Sequence, residues 1–210
     1  MSRVQLAAVA IVLAALAGVG LAFVGSRVAQ GTEEGLAVVH THGQANWSRG
    51  DRRAPPIKLR DQDGRLVSLA NLRRRPVLLT FLDSECREQC PVEGRQLGIM
   101  LRQMAPADRP TVLIVGVNPA GDTPASIRHA VASWGLDGPW RLHWLRGRKA
   151  ELAPVWADYG ITVQPRSNDI THGMSLYLID GRGFERAGYL FPFLPNFVAL
   201  DLEDLAQERL

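Results

Sequence analysis

Two kinds of hydrophobic pattern alternate along the chain from about residue 57 onward. Residues 76–82 and 111–117 are continuous apolar runs of strand length, as expected for strands buried on both faces of a sheet. Between them, residues 91–104 place apolar side chains at helical spacing, and Thr123-Pro124 has residue types that cap and open a helix. Strands that alternate with helices predict a mixed α/β sheet covered on both faces.

Turn residues and shorter apolar runs predict the rest of this domain. Residues 61–65 and 180–183 have the composition of tight turns, so each is expected to join two strands of a hairpin. The remaining predicted elements are a strand at 140–145, a helix at 148–159 ended by Gly160, strands at 175–179 and 188–191, and a last helix at 198–208.

A longer apolar run opens the chain. Residues 4–24 contain no charged side chain, and as a helix they are long enough to cross a hydrocarbon core of about 30 Å. The run continues past the small-residue site Ala15-Leu16-Ala17, which favours a retained transmembrane anchor over the alternative, a cleaved signal peptide. In either case we expect the remainder of the chain to be extracytoplasmic, on the outward face of a bacterial cell membrane.

The segment 25–56 is predicted to be a flexible tether between the anchor (1–24) and a compact domain (57–210). It contains five glycines, few large apolar residues and the pair Pro55-Pro56. His40 and His42 would point the same way in an extended chain and could bind a metal, but a solvated linker is the interpretation we favour.

Charge and cysteine content exclude several classes of protein. The 24 basic and 21 acidic residues give a net charge of +3, too small and too scattered to predict a nucleic-acid-binding face. The run Arg73-Arg74-Arg75 is interpreted as a solvated turn, with lipid or an acidic partner as an alternative contact. Two cysteines are too few for a disulfide-dense scaffold or a four-cysteine zinc site.

Those two cysteines, Cys86 and Cys90, lie where the first long strand ends and a helix begins. Ligand sites in open α/β sheets lie beyond the carboxyl ends of the strands. Helical residues four apart share a face, so the two sulfurs are expected to be close enough for a disulfide or a shared metal. The flanking carboxylates are expected to oppose thiolate formation and to favour a bound cation; these are Asp83, Glu85, Glu88 and Glu93.

Together these motifs resemble the Sco/SenC family over about residues 57–205. The likeness consists of the segment IKLRDQDG at 57–64, the strand before Cys86-x-x-x-Cys90-Pro91, the segment NPAGDTP at 118–124, and His172 ahead of SLYLID. The resemblance implies a thioredoxin-like fold and a copper chaperone for the binuclear copper centre of cytochrome c oxidase. By motif position it implies Cys86, Cys90 and His172 as copper ligands, with a redox disulfide between the cysteines as the form that does not bind Cu(I).

The implied partners are the copper-site subunit of the oxidase, the membrane through the N-terminal helix, and a thiol reductase. The chain departs from the family pattern at two positions. The family usually has Asp-Pro where this chain has Asn118-Pro119, and an acidic residue where this chain has Thr171, with Asp169 nearby. These departures concern partner docking or copper affinity.

The residue types agree with copper independently of the resemblance. Two thiolates and one imidazole suit Cu(I) better than they suit closed four-coordinate zinc. Met174 could be a weak axial ligand, although packing is the favoured interpretation. We expect Met100 and Met104 to lie in the core; His129 and His143 are interpreted as structural.

The main alternative is a thiol-disulfide oxidoreductase or a peroxidase on the same fold. Such reductases normally use Cys-x-x-Cys and a proline before the strand that faces the pair. Here the spacing is one residue longer, and His172-Gly173-Met174 stands where that proline would be, with no proline between Pro165 and Pro192. A copper or redox sensor is a third possibility that would need the same three residues.

Overall fold

The computed structural model describes residues 41–166 and 170–208 as a six-stranded mixed sheet flanked by helices. Two further two-stranded ribbons lie outside this sheet. The strands are β1 (Ala45–Asn46), β2 (Lys58–Arg60), β3 (Leu66–Ser68), β4 (Val77–Leu82), β5 (Thr111–Gly116), β6 (Leu142–Leu145), β7 (Val163–Pro165), β8 (Ile170–His172), β9 (Ser175–Ile179) and β10 (Glu185–Leu190). The helices are α1 (Gln89–Gln103), α2 (Pro124–Ser133), α3 (Lys149–Asp158) and α4 (Pro195–Gln207), with a short 3₁₀ helix at Leu69–Asn71.

The order of strands in the sheet is β1-β10-β9-β4-β5-β6. Strands β4, β5 and β6 are parallel, whereas β9 is antiparallel to β4 and β10 is antiparallel to β9. The carboxyl ends of β4 and β5 therefore meet the start of β9 and the end of β10 at one edge of the sheet. This arrangement confirms the predicted α/β architecture and brings residues far apart in sequence to a common edge.

Each face of the sheet buries its own hydrophobic core. Leu78 and Leu82 of β4 pack with α1, α2 and α4, while Val77, Leu79 and Phe81 pack on the other face with α3 and the β2–β3 hairpin. All six residues of β4 are buried. This is why the strand has no polar/apolar alternation and was recognisable as an apolar run in which Thr80 is the one polar residue.

Close packing of α1 on the end of α2 depends on two glycines. A Cβ atom on Gly94 would lie 2.6 Å from the Trp134 ring, and one on Gly98 would lie 2.4 Å from the Gly135 carbonyl oxygen. Both distances are too short for a side chain. The two glycines therefore let α1 lie close against α2, which fixes the position of the helix that contains Cys90.

Predicted element boundaries were accurate in the centre of the sheet and less so at its borders. The turn at 61–65 is confirmed, with a backbone hydrogen bond from Asp61 to the Arg65 carbonyl, and Thr123 caps α2 through Ser126 as expected. Strand β10 and helix α4 each begin three residues before their predicted starts, at Glu185 and Pro195. Proline at the first position of α4 is compatible with a helix because the first turn needs no N–H donor.

The last part of the predicted tether packs against the sheet. Ala45 and Asn46 pair with β10, His42 bonds to Asp201 of α4, and Ala54 is buried. Residues 1–40, which include the predicted anchor, lie outside the described residues. Within the described part of the chain, no helix combines the length and the apolar character needed to cross a bilayer.

Candidate functional site

Cys86 lies in the loop between β4 and α1, directly beyond the carboxyl end of a central strand. The loop is held by Asp83, whose carbonyl oxygen accepts a hydrogen bond from the Cys86 amide at 3.2 Å and whose carboxylate accepts one from Glu85 at 2.9 Å. The expectation that both cysteines share a helical face is therefore wrong, because α1 begins only at Gln89. The turn at Asp83, and not helical periodicity, brings Cys86 beside Cys90.

Cys90 and His172 are brought together although 82 residues separate them. Cys90 is fully buried in the first turn of α1, and its Sγ lies 3.4 Å from Nε2 of His172. His172 ends β8, where the β7–β8 ribbon, paired through Val163, joins β9. It thus lies at the end of a short strand, three residues before β9 begins.

The imidazole of His172 has a defined orientation. Its Nδ1 lies 3.0 Å from the Gly173 carbonyl oxygen, which can only accept a hydrogen bond. Nδ1 therefore carries a proton, and in the neutral imidazole this leaves the lone pair on Nε2, the atom that lies beside Cys90. A neutral imidazole fixed in this way has the form that ligates metals.

The two thiols differ strongly in acidity. A hydrogen bond from Cys90, supported by the backbone amides of Glu88, Cys90 and Gln89, lowers the pKa of Cys86 to about 6 although partial burial opposes the shift. The same bond to Cys86, together with burial, raises the pKa of Cys90. Both cysteines are free thiols. Cys86 is accordingly the thiolate at neutral pH, and Cys90 is the protonated thiol that donates a hydrogen bond to it.

This result corrects the expectation that the neighbouring carboxylates would oppose thiolate formation at Cys86. Glu85 and Glu88 are exposed and Asp83 is occupied by hydrogen bonds from its own loop. Hydrogen bonds directly to the sulfur outweigh these more distant charges. The flanking carboxylates are therefore weaker evidence for a bound cation than the sequence suggested. The argument for a metal then depends on the sulfur and imidazole nitrogen donors.

Glu93 is the residue whose environment sequence reasoning missed. It is 1% exposed within α1, its Oε1 accepts a hydrogen bond from Thr80 of β4 at 2.5 Å, and its Oε2 has no hydrogen-bond partner. Burial raises its pKa to about 7, although the Thr80 hydrogen bond opposes this shift. Glu93 in turn raises the pKa of Cys90. The only sequence signal was Thr80, a polar residue within an otherwise apolar strand.

A polar network beyond β5 supports the Cys86 loop from the other side. Asn118 donates a side-chain hydrogen bond to the Asp83 carboxylate at 3.1 Å and accepts one from the Gly121 amide at 2.8 Å. Asp122 accepts a hydrogen bond from the Ser84 amide at 2.9 Å, and burial raises its pKa to about 6. An aspartate at position 118 could not donate to Asp83, so the departure Asn118 has a structural consequence at this site.

The other methionines and histidines singled out from the sequence have the following environments. Met174 is partly buried against the core, and Met100 and Met104 are buried as predicted. His143 lies in β6 and bonds to the buried Asp61 at 3.0 Å, which confirms a structural role, whereas His129 is exposed on α2. Asp169 lies outside the described residues, as does His40.

Cys86, Cys90 and His172 thus lie at one edge of the sheet but do not form a closed coordination sphere. Within residues 41–166 and 170–208, no three His, Cys, Asp or Glu side chains are already arranged around one metal position. The donor types and their proximity fit a soft metal ion, for which two sulfurs and an imidazole nitrogen are suitable ligands.

Fold and site together define a thioredoxin-like α/β protein with a cysteine pair and a histidine at the carboxyl edge of its sheet. The SCO1/SenC family model matches residues 48–201. The chain belongs to this family, as the sequence motifs predicted.

Individual relatives agree with this assignment. The chain is 30% identical over 192 residues to the mitochondrial protein SCO2 homolog of Bos taurus, covering 86% of this chain and 67% of that protein. The copper-bound structure of Bradyrhizobium japonicum ScoI is 27% identical, with a TM-score of 0.63 over 73% of this chain and 99% of that one. BsSco, described as having a disulfide switch and as a member of the Sco family of cytochrome c oxidase assembly proteins, shares the fold at 18% identity, with a TM-score of 0.63 over 79% of this chain and 100% of its own.

Proposed function

We propose that this protein is a copper chaperone for cytochrome c oxidase, which holds copper between Cys86, Cys90 and His172 and passes it to the binuclear copper centre. The observation that carries the proposal is the 3.4 Å approach of Cys90 Sγ to His172 Nε2, beside a Cys86 thiol that is ionised at neutral pH. Copper is the cargo of such a protein, and its bound form in the ScoI relative supports the same choice of metal here.

Copper binding requires a change in protonation at the site. Cys86 is already a thiolate, whereas Cys90 must lose its proton for both sulfurs to act as ligands. The bound cation would replace that proton between the two sulfurs. A disulfide between Cys86 and Cys90 would remove both sulfur donors, so a thiol reductase is the partner expected to maintain the binding form.

The proposed transfer takes place outside the cytoplasm, next to the membrane. The uncharged run at residues 4–24 supports an N-terminal anchor, and residues 25–40 would then join it to the folded domain. The receiving partner would be the copper-site subunit of the oxidase. Ligand exchange is the expected route, because a three-donor site leaves the metal accessible to an incoming ligand.

The test is the substitution His172→Ala in the reduced protein. Loss of the imidazole leaves a two-sulfur site, which can hold Cu(I) but is poorly suited to Cu(II), an ion that prefers imidazole and a higher coordination number. We expect one copper per reduced chain in the wild type, and in the variant a larger loss of affinity for Cu(II) than for Cu(I). Competition titrations with both copper states measure this, with His129→Ala as the control because that histidine is exposed and remote in sequence.

A count of free thiols in each preparation distinguishes copper lost because the imidazole is missing from copper lost because the cysteines are oxidised. The Cys86–Cys90 disulfide should still form in His172→Ala, because the turn at Asp83 positions the sulfurs. Unchanged Cu(II) affinity in the variant would remove His172 from the site. Zinc alone, or no metal in a fully reduced wild type, would refute the copper proposal.

One observation favours a second function, thiol-disulfide exchange. An acidic, partly exposed Cys86 beside a buried, protonated Cys90 is the arrangement of an attacking and a resolving thiol. A reductase of this kind would lack a specific copper site, so His172→Ala would change its copper affinity little. The titrations above therefore also discriminate between the two functions.

A further inference from the structure

A cleft lined with arginines lies at the opposite edge of the sheet from the cysteines. It has a volume of about 340 Å³, and Arg75, Arg109 and Arg141 line it together with Thr111 and Trp140. No carboxylate is among the residues that line it in the described structure. Three guanidinium groups without a counter-charge form a locally positive cavity, which favours an anionic ligand.

The register of the parallel strands explains why these arginines meet. Val77 of β4 pairs with Thr111 of β5, and Val112 pairs with Leu142 of β6. Arg75 and Arg109 therefore stand at equivalent positions two residues before paired strand residues, and Arg141 directly precedes β6. Parallel strands bring their amino ends to the same edge, so three segments distant in sequence supply one charged group each.

The three arginines differ in the contacts that their side chains already make within the protein. Arg109 donates to the Leu101 carbonyl oxygen at 2.8 Å, near the end of α1, and lies 5.8 Å from the centre of the Trp140 ring. It therefore has a structural role. Arg75 and Arg141 are exposed, and within residues 41–166 and 170–208 neither guanidinium is within ion-pair distance of a carboxylate.

The backbone before Arg75 is strained. Arg74 has a φ of 77°, and its amide donates to the Gly181 carbonyl oxygen at 2.9 Å. This left-handed conformation costs a residue with a side chain about 1–2 kcal/mol. Strain of this kind is concentrated at ligand-binding segments. Here it occurs in the turn that delivers Arg75 to the cleft.

We propose that this cleft binds a phosphate-type oxyanion, with Arg75 and Arg141 as the charged contacts. Guanidinium groups present planar pairs of donors that match phosphate oxygens. The phosphate could belong to an anionic lipid headgroup or to a free phosphate compound. The site is independent of the copper proposal, because it lies at the other edge of the sheet.

The test compares two double variants of the full chain in a non-ionic detergent. Arg75→Gln with Arg141→Gln removes the two unpaired charges and leaves Arg109 to support α1. Arg95→Gln with Arg128→Gln removes equal charge from exposed helical positions outside the cleft. Calorimetric titration with inorganic phosphate at constant ionic strength should show saturable binding, at least tenfold weaker in the cleft variant and within twofold of wild type in the control.

Arginine-specific labelling with phenylglyoxal then identifies the source of the phosphate. Phosphate should slow the labelling of Arg75 and Arg141 but not of Arg128. Protection by phosphatidylglycerol in nanodiscs, relative to phosphatidylcholine alone, assigns a lipid headgroup; protection by free phosphate only assigns a soluble compound. Equal phosphate affinity in the two double variants, or equal protection of Arg128, would overturn the proposal in favour of diffuse charge attraction.

Discussion

At the scale of single residues, the site combines groups whose ionisation is controlled by their immediate contacts. Cys86 is made acidic by hydrogen bonds, while the adjacent Cys90 and the buried Glu93 are made less acidic. Glu93 is the most unusual of the three, because a carboxyl group with one unpartnered oxygen is enclosed between α1 and β4. Ionisation of the Glu93 carboxyl group in that position lowers the free energy of unfolding.

Glu93→Gln is therefore expected to stabilise the metal-free protein at alkaline pH. The pKa of Glu93 is about 7 in the folded chain and near 4.5 when unfolded. Below about pH 4.5 the group is protonated in both states. Between about pH 4.5 and 7 only the unfolded chain ionises it, so stability falls across that interval and the loss is complete above pH 7. The difference corresponds to about 3 kcal/mol at most. Denaturant unfolding at pH 5 and pH 8 measures it.

The control for this prediction is Glu203→Gln, which alters a partly exposed glutamate on α4. It should show the same small effect at both pH values. A Glu93→Gln variant that is no more stable than wild type at pH 8 would mean that Glu93 stays charged at little cost, through water or a counter-charge.

At the scale of elements, short pieces of chain outside the main sheet decide where the functional residues lie. The β7–β8 ribbon delivers His172 to Cys90, and residues 41–46 join the far side of the sheet by pairing with β10. His42 strengthens the attachment of residues 41–46 to the sheet. Its ring stacks on Phe197 with the ring centres 4.6 Å apart, and its Nδ1 lies 2.6 Å from the buried Asp201 carboxylate.

His42→Ala is expected to lower the free energy of unfolding by about 1–2 kcal/mol, because it removes the stacking and one partner of a buried carboxylate. Phenylalanine at position 42 would keep the stacking but not the hydrogen bond, so it should recover part of the loss. Hydrogen exchange should also accelerate at Ala45 and Asn46. If His42→Ala matches the exposed-residue control His129→Ala in stability, the attachment contributes nothing measurable.

At the scale of the whole molecule, the two edges of the sheet have different chemistry. The cysteines and His172 lie where the parallel strands end, and the arginine cleft lies where those strands begin. Because the length of the parallel strands separates the two sites, one ligand can bind at each edge without contact between them. The uncharged run at residues 4–24 adds a predicted third region, the membrane anchor.

The anchor predicts that the chain remains in the membrane fraction and that its folded domain faces outward. Protease added to intact spheroplasts should then digest the domain, because residues after 24 would lie outside the cytoplasmic membrane. A cytoplasmic marker protein must survive the same treatment. Protection until lysis would reverse the orientation, whereas a soluble mature chain that begins at Gly18 would establish a cleaved signal peptide.

The sequence by itself determined the features that depend on local pattern. Nearly continuous apolar runs identified β4 and β5, because strands buried on both faces carry no polar alternation. Thr123 before Pro124 located the start of α2, because capping depends on a few adjacent residues. The family was identified from short motifs, at 57–64, 86–91, 118–124 and His172, because each can be recognised from adjacent residues without knowledge of the fold.

Only the tertiary structure decided what depends on packing between distant segments. The contact between His172 and Cys90 spans 82 residues, and spacing alone cannot measure such a distance. The burial of Glu93 depends on which side of α1 faces β4, and the acidity of Cys86 depends on donors aimed at its sulfur. These properties arise when chain segments exclude water and orient one another, and that step has no counterpart in a one-dimensional pattern.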